Sequence, residues 1–139
     1  GHVIQCRQFN KTCGHAGASS WADPNSGHKY DGLNACSIGI ELANAGCDDN
    51  AMSWARKQPG FRCLEARHKH GGPVVEWECF PDAQVAAARI VGQALMFRYN
   101  LDDCMGHEDC APRRKYDPGP LFPMTRYRLD LGFNKPFPK

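Results

Sequence analysis

Residues 106–120 bring together side chains that suit metal-assisted hydrolysis. The segment reads GHEDCAPRRKYDPGP and places His107, Lys115 and Asp117 within eleven residues. Because Pro restricts φ and Gly permits tight turns, this composition predicts a loop of fixed shape. Imidazole and carboxylate groups are ligands that zinc accepts, and a nearby ammonium can stabilise developing negative charge. On spacing alone, a charged surface loop is the alternative.

A second carboxylate stands in residues 37–43, SIGIELA, which we predict to be a strand. Side chains of a strand alternate between its two faces. The alternation predicts a core face with Ile38, Ile40 and Leu42 and an opposite face with Ser37, Gly39 and Glu41. Small neighbours leave room for a ligand beside Glu41. The alternative is a solvated glutamate on an exposed face.

Three segments together resemble a known enzyme family. Residues 14–21, GHAGASSW, resemble an HAG-x-S-x-W loop, residues 33–42, LNACSIGIEL, resemble an N-x-x-SIGIEL strand, and residues 106–120 resemble a C-terminal signature. All three occur, in this order, in the zinc-dependent N-acetylmuramoyl-L-alanine amidases of the amidase-2 and peptidoglycan-recognition-protein superfamily. The resemblance implies a single amidase-like α/β domain over residues 1–139, with a mixed central sheet flanked by helices.

The resemblance also implies a reaction and roles for individual residues. The reaction would be hydrolysis of the amide bond between N-acetylmuramic acid and the L-alanine of the stem peptide, in peptidoglycan or in a muropeptide, by water activated on Zn²⁺. The implied roles are metal ligand for His107 and Asp117, proton transfer for Glu41, oxyanion stabilisation for Lys115, and substrate binding for His15, Trp21 and Asn34.

Each role has a structural alternative. His107 would then be a loop histidine bonded to backbone, and Lys115 a surface charge. His15 would satisfy a turn, Trp21 would cap the core, and Asn34 would only shape its loop. At the level of the whole protein, the alternatives are a non-catalytic peptidoglycan-binding module of the same fold and a cysteine-rich structural or inhibitory protein.

One expected zinc ligand is not found among these residues. In the family it is a histidine on an N-terminal strand, ahead of the part that residues 1–9 resemble. We therefore expect an N-terminally incomplete domain whose third ligand lies outside this chain's residues, with a separate N-terminal segment as a candidate partner. The alternatives are a degenerate member that binds without cleaving and a domain in which His2 or His15 replaces the missing ligand.

Composition limits the remaining classes of function. The chain has 139 residues and a net charge of +2, which argues against a protein that binds nucleic acid through phosphate attraction. No apolar run is long enough to cross a bilayer. Eight cysteines favour an extracytoplasmic setting with at least one disulfide, although bacterial cytoplasm, periplasm and a phage origin all stay open. Cys104, His107 and Cys110 also form C-x2-H-x2-C, a weaker candidate for structural zinc, while His68 and His70 resemble surface residues.

The remaining pattern predicts the elements that position these residues. We expect strands over residues 3–9 and 74–80, a short helix over residues 52–57, and a longer helix over residues 82–100 whose apolar side repeats at helical spacing. Residues 10–33 and the rest of residues 44–73 read as loops. The Pro-rich tail after Arg128 should lie along the surface.

Overall fold

The computed structural model describes residues 2–24 and 26–133 and has the expected mixed α/β character. In chain order its elements are β1 (Ser20–Ala22), β2 (Lys29–Asp31), a 3₁₀ turn (Leu33–Ala35), α1 (Asp49–Ala55), β3 (Cys63–Arg67), β4 (Val74–Glu78), α2 (Asp82–Arg98), α3 (His107–Cys110) and α4 (Met124–Asp130). Within these described ranges no helix combines the length and apolar character needed to cross a membrane.

Helix α2 confirms the prediction made for residues 82–100. It begins after Pro81, whose fixed φ suits a helix start, and carries Asp82 in its first turn and Arg98 in its last. Both charges complement the helix dipole. Asp82 makes no side-chain cap, because the cap position belongs to Pro81. The predicted short helix over residues 52–57 is also present, starting three residues earlier at Asp49.

The strands form two separate antiparallel hairpins. β1 pairs with β2, with Trp21 opposite Tyr30, and β3 pairs with β4, with Leu64 opposite Trp77. β4 confirms the strand predicted over residues 74–80. β1, β2 and β3 lie where loops were expected, because their few residues alternate too briefly to stand out from the polar sequence around them.

The strands predicted over residues 3–9 and 37–43 are wrong. Neither segment joins a sheet, so the described residues hold two two-stranded sheets in place of one central sheet. A strand requires a partner that completes its ladder of hydrogen bonds, and periodicity alone does not supply one. The predicted alternation of faces in residues 37–43 is present only in part. Ile38 and Ile40 line an apolar cavity next to α2, but Ser37 lines the same cavity and Ile40 is 41% exposed. Ser37 and Gly39 contact His15.

Two hydrophobic clusters hold the elements together. The first joins α2 to α4 and the segment after it, through Ala88, Phe122, Tyr127, Leu131 and Phe133. The second lies under the two motif loops and contains Ala16, Trp21, Leu33 and Cys110. Because residues 14–16 and 110 meet in this second cluster, apolar burial brings the first and last motifs into contact.

The cysteines do not form the expected disulfide. All eight are free thiols. Burial raises the pKa of the Cys104 thiol to about 12 and also raises that of Cys110. A raised pKa disfavours the thiolate, which is the form that both disulfide exchange and zinc binding require.

The contact between α2 and α4 yields a stability prediction for Gly92. A Cβ at Gly92 would lie 2.6 Å from Tyr127 Oη and 2.8 Å from Leu131 Cδ2. Alanine favours a helix by about 1 kcal/mol over glycine, but overpacking a core costs about 1–3 kcal/mol. The difference predicts that Gly92→Ala lowers the free energy of unfolding by up to about 2 kcal/mol, measured by urea denaturation. Ala94→Met, at an exposed position of α2, is the control and should change stability by less than about 0.5 kcal/mol. Equal stability of both variants would contradict the tight contact.

Candidate metal and active site

The structure places His107 and Asp117 side by side. His107 opens α3, whose start is stabilised because the Asp109 carboxylate accepts the Gly106 N–H at 2.9 Å. His107 Nδ1 lies 3.0 Å from Asp117 Oδ2. The His107 side chain is 16% exposed and that of Asp117 is 52% exposed, so the pair has one largely covered member and one open to solvent.

The other nitrogen of His107 fixes the direction of the ring. His107 Nε2 lies 3.2 Å from the Ala16 carbonyl oxygen. The Asp117 carboxylate and the Ala16 carbonyl are both acceptors, and the Arg114 guanidinium, a donor, lies 3.5 Å from Nε2, so either ring nitrogen can carry the hydrogen. With the hydrogen on Nε2, which is the tautomer that a metal at Nδ1 requires, Nδ1 turns its lone pair toward Asp117. Two acceptors that face each other repel unless a proton or a metal cation lies between them. Arg114 donates to the same Ala16 oxygen at 2.6 Å and holds it in place.

This pair fits zinc by donor type and by spacing. Imidazole nitrogen and carboxylate oxygen are both zinc ligands, and bond lengths near 2.0–2.2 Å put neighbouring donors of a tetrahedral site about 3.4 Å apart. The observed 3.0 Å is close to that spacing. Over residues 2–24 and 26–133 no cluster of three or more His, Cys, Asp or Glu side chains is arranged for a metal. The pair thus offers two ligands of a site, with no third ligand among the described residues.

Asn34 shapes the loop of residues 14–18 through its side-chain oxygen. Asn34 Oδ1 accepts the backbone N–H groups of His15 at 2.9 Å and Ala16 at 2.7 Å. Residue Ala16 is therefore held on both sides, by Asn34 at its nitrogen and by His107 at its oxygen. This position agrees with the structural alternative for Asn34 and links it to the orientation of the imidazole.

His15 joins the same loop to residues 37–43. Its Nε2 lies 2.8 Å from Ser37 Oγ and its Nδ1 lies 2.9 Å from the Cys13 carbonyl oxygen. The ring also lies against Gly39, where a Cβ would come within 2.8 Å of it. Gly39 is therefore required for a close approach of the ring to the backbone, two residues before Glu41.

Trp21 lies in the second hydrophobic cluster. The side chain is 7% exposed, and its indole N–H donates to Asp103 Oδ2 at 3.0 Å. Most of its surface is therefore covered by protein, as the alternative interpretation of a core residue describes.

Glu41 and Lys115 differ from the other candidate site residues in the bonding of their charged groups. Glu41 is exposed and Lys115 is half-buried. In the part of the chain that the structure describes, neither charged group has a hydrogen-bond or ion-pair partner. The backbone N–H of Lys115 donates to Ala111 O at 2.9 Å, which fixes the start of its side chain next to α3.

The turn between β3 and β4 supplies site residues that the sequence did not identify. His68, expected at the surface, is half-buried and bonds through Nε2 to Glu108 Oε2 at 2.7 Å. Lys69 contacts both Glu108 and Asp109. Burial opposes the charge of Lys69, but the hydrogen bonds to Asp109 and Glu108 outweigh it and raise the pKa of the ammonium. The sequence holds one signal for this contact, the acidic pair Glu108 and Asp109 after His107. Two adjacent carboxylates attract a basic side chain, but they do not indicate that it comes from the β3–β4 turn.

The double role of Asn34 leads to a prediction. Asn34→Ala should leave two backbone N–H groups without their acceptor, at a cost of about 1–3 kcal/mol in the free energy of unfolding. Asn34→Asp keeps the accepting oxygen and is the matched control. Thermal unfolding of the two variants should separate them by several degrees, and equal midpoints would show that water replaces the lost acceptor.

Comparison with known proteins agrees with this arrangement. A family model described as N-acetylmuramoyl-L-alanine amidase matches residues 1–120. N-acetylmuramoyl-L-alanine amidase AmiD of Escherichia coli (strain K12) is 35% identical over 111 residues, covering 78% of this chain and 30% of the relative. The 1,6-anhydro-N-acetylmuramyl-L-alanine amidase AmpD of Enterobacter cloacae is 32% identical over 136 residues, covering 94% of this chain and 52% of the relative.

The chain thus spans about half the length of the AmpD relative and less than a third of AmiD. The family match nevertheless includes all three motif segments and both members of the histidine–aspartate pair. On this match, the chain belongs to the N-acetylmuramoyl-L-alanine amidase family.

Proposed function

We propose that this chain carries the catalytic groups of a peptidoglycan amidase, which cleaves the amide bond between the lactyl group of N-acetylmuramic acid and L-alanine. The observation that carries the proposal is the His107–Asp117 contact at 3.0 Å, with the ring directed by the Ala16 carbonyl. Relatives named as amidases of N-acetylmuramoyl-L-alanine and of its 1,6-anhydro form support this choice of substrate.

His107 and Asp117 would hold a zinc ion through Nδ1 and a carboxylate oxygen. Bound zinc lowers the pKa of a coordinated water to about 7 and polarises a carbonyl group. The proposal places the third protein ligand outside the described residues. Ala16 would contribute indirectly, because its carbonyl can accept a hydrogen from Nε2 and so favour the tautomer whose Nδ1 lone pair is available to the metal.

Glu41 is proposed to move the proton. As water adds to the amide carbon, the Glu41 carboxylate accepts the proton that water releases. It then gives this proton to the nitrogen of L-alanine as the C–N bond breaks, which leaves a lactyl carboxylic acid and a free amine, and the acid then loses its own proton to the amine or to solvent. An exposed carboxylate without a partner among the described residues is suited to both steps, since no existing ion pair must be broken.

Lys115 is proposed to stabilise the oxyanion that forms on the amide carbonyl. Its backbone is fixed next to α3, two residues before Asp117, while its ammonium has no partner in the described chain. A positive charge directed to where negative charge develops favours the transition state over the bound substrate. His15, Trp21 and Asn34 would support substrate binding mainly by holding residues 14–18 and 37–39 in place.

Zinc content and hydrolysis must be measured on the same material. In the complete protein that carries this chain, we expect stoichiometric zinc by elemental analysis and release of stem peptide from purified muropeptide. Asp117→Asn should lower both, because loss of one protein ligand leaves zinc weakly held. Asp31→Asn, an exposed aspartate on β2, is the control and should change neither. Zinc binding or muropeptide binding without cleavage would instead support the non-catalytic module, and full cleavage without zinc would refute the proposal.

The proton-transfer role predicts the effect of Glu41→Gln. The variant should keep its fold and zinc content but lose about 10²–10⁴-fold in kcat, the range expected for a lost general base. Glu65→Gln, at an exposed position of β3, is the matched control and should retain activity. Near-normal kcat in Glu41→Gln would show that another group accepts the proton from water.

A further inference from the structure

Glu108 is buried at the centre of the candidate site, yet no catalytic role needs it there. It follows His107 directly in α3, and its side chain is 4% exposed. A buried carboxylate is costly unless hydrogen bonds and opposite charges compensate for lost hydration. Its contacts therefore identify what it stabilises.

Glu108 joins the two ends of residues 107–119. Its backbone N–H donates to the Asp117 carbonyl oxygen at 2.8 Å. Its carboxylate oxygen Oε2 accepts the Gly119 N–H at 3.2 Å. These two bonds connect the residue after one proposed ligand to the backbone at and beyond the other, and so they hold His107 and Asp117 next to each other.

Two side chains of the β3–β4 turn, the imidazole of His68 and the ammonium of Lys69, bind the Glu108 carboxylate. His68 Nε2 lies 2.7 Å from Oε2, and Lys69 Nζ lies 2.7 Å from Oε1. His70 Nε2 lies 3.0 Å from the Glu108 carbonyl oxygen. The turn thus contacts the carboxylate and the backbone of the same residue.

Trp77 of β4 completes the connection between the hairpin and the loop. Its ring is stacked on His68, with centroids 5.9 Å apart and planes 22° from parallel. The same ring covers Gly119, where a Cβ would lie 2.6 Å from Trp77 Cζ3. Gly119 also has φ near 80°, which a glycine adopts without strain. The β3–β4 hairpin therefore contacts both ends of residues 107–119, at Glu108 and at Gly119.

We propose that Glu108 is a positioning residue that holds the His107–Asp117 pair in its metal-binding arrangement, with His68 and Lys69 compensating its charge. The proposal rests on the proposed function in one respect, namely that the pair binds zinc. Glu108 lies within the third motif segment, but its partners His68 and Lys69 lie outside all three segments, so their contact does not follow from the motifs.

The test separates the loop connection from metal binding. Amide hydrogen exchange of Gly119 and Glu108 is measured on the metal-free complete protein, and zinc affinity is measured by chelator competition. In Glu108→Ala we expect both amides to exchange at least about 10-fold faster and zinc to bind about 10–100-fold more weakly. Glu108→Gln keeps an oxygen that can accept the Gly119 N–H but loses the negative charge. It should therefore restore slow exchange of the Gly119 amide more fully than it restores zinc affinity.

Glu76→Gln is the control. Glu76 is an exposed acid of β4 in the same hairpin, and its carboxylate pairs with Arg56 and with neither end of the loop that Glu108 joins. Its variant should leave the Gly119 amide and zinc affinity close to wild type. If Glu108→Ala does not fold, the contrast between Glu108→Gln and Glu76→Gln decides.

Unchanged amide exchange in the Glu108 variants, or faster exchange with unchanged zinc affinity, would overturn the positioning role. Failure of the proposed function has a different signature. The wild-type protein would then bind no zinc at His107 and Asp117, whereas a response of the Gly119 amide to Glu108→Ala would still support the connection made by Glu108.

Discussion

The backbone of Ala16 is the point on which the site depends. Its N–H is bound by Asn34, and its carbonyl accepts from His107 and Arg114. One residue's backbone thus connects three segments that are far apart in the sequence. Because Nε2 of His107 is held at this carbonyl, the ring turns Nδ1 toward Asp117. Displacing the loop of residues 14–18 would therefore alter the chemistry of the pair as well as its position.

The surroundings of Ala16 make its position stable. The Ala16 side chain is buried with Trp21, Leu33 and Cys110, so the loop is anchored by apolar contact as well as by hydrogen bonds. Gly17, with φ near 57°, allows the chain to turn beneath the Arg114 guanidinium, which a Cβ there would meet at 2.9 Å. On the opposite side, the buried Glu108 carboxylate holds the other loop. The two candidate ligands are thus fixed through both loops.

The sequence predicted those parts of the structure that short-range physics determines. Helix α2 was predicted to within two residues because Pro81, the helical repeat and the charged ends all act locally. Residues 37–43 form no strand and keep the predicted alternation of faces only in part, since pairing depends on a neighbour elsewhere in space. The closeness of His107 and Asp117 agreed with their shared loop. The contact of His68 with Glu108 could not be predicted, because it joins a hairpin turn to a helix 40 residues away.

The site separates groups that hold structure from groups left available for chemistry. Asn34 and Glu108 are bonded on several sides, whereas Glu41 and Lys115 have no charged or hydrogen-bonded partner for their terminal groups among the described residues. This distribution fits the roles proposed for Glu41 and Lys115 in amide hydrolysis. A base that must accept and release a proton, and a cation that must meet a transient oxyanion, lose effectiveness if a permanent partner already satisfies them. Groups that direct the ring of a metal ligand act best when they cannot move. Buried polar bonds around Ala16 and Glu108 therefore provide rigidity, and the open side of Asp117 is where substrate and water can approach.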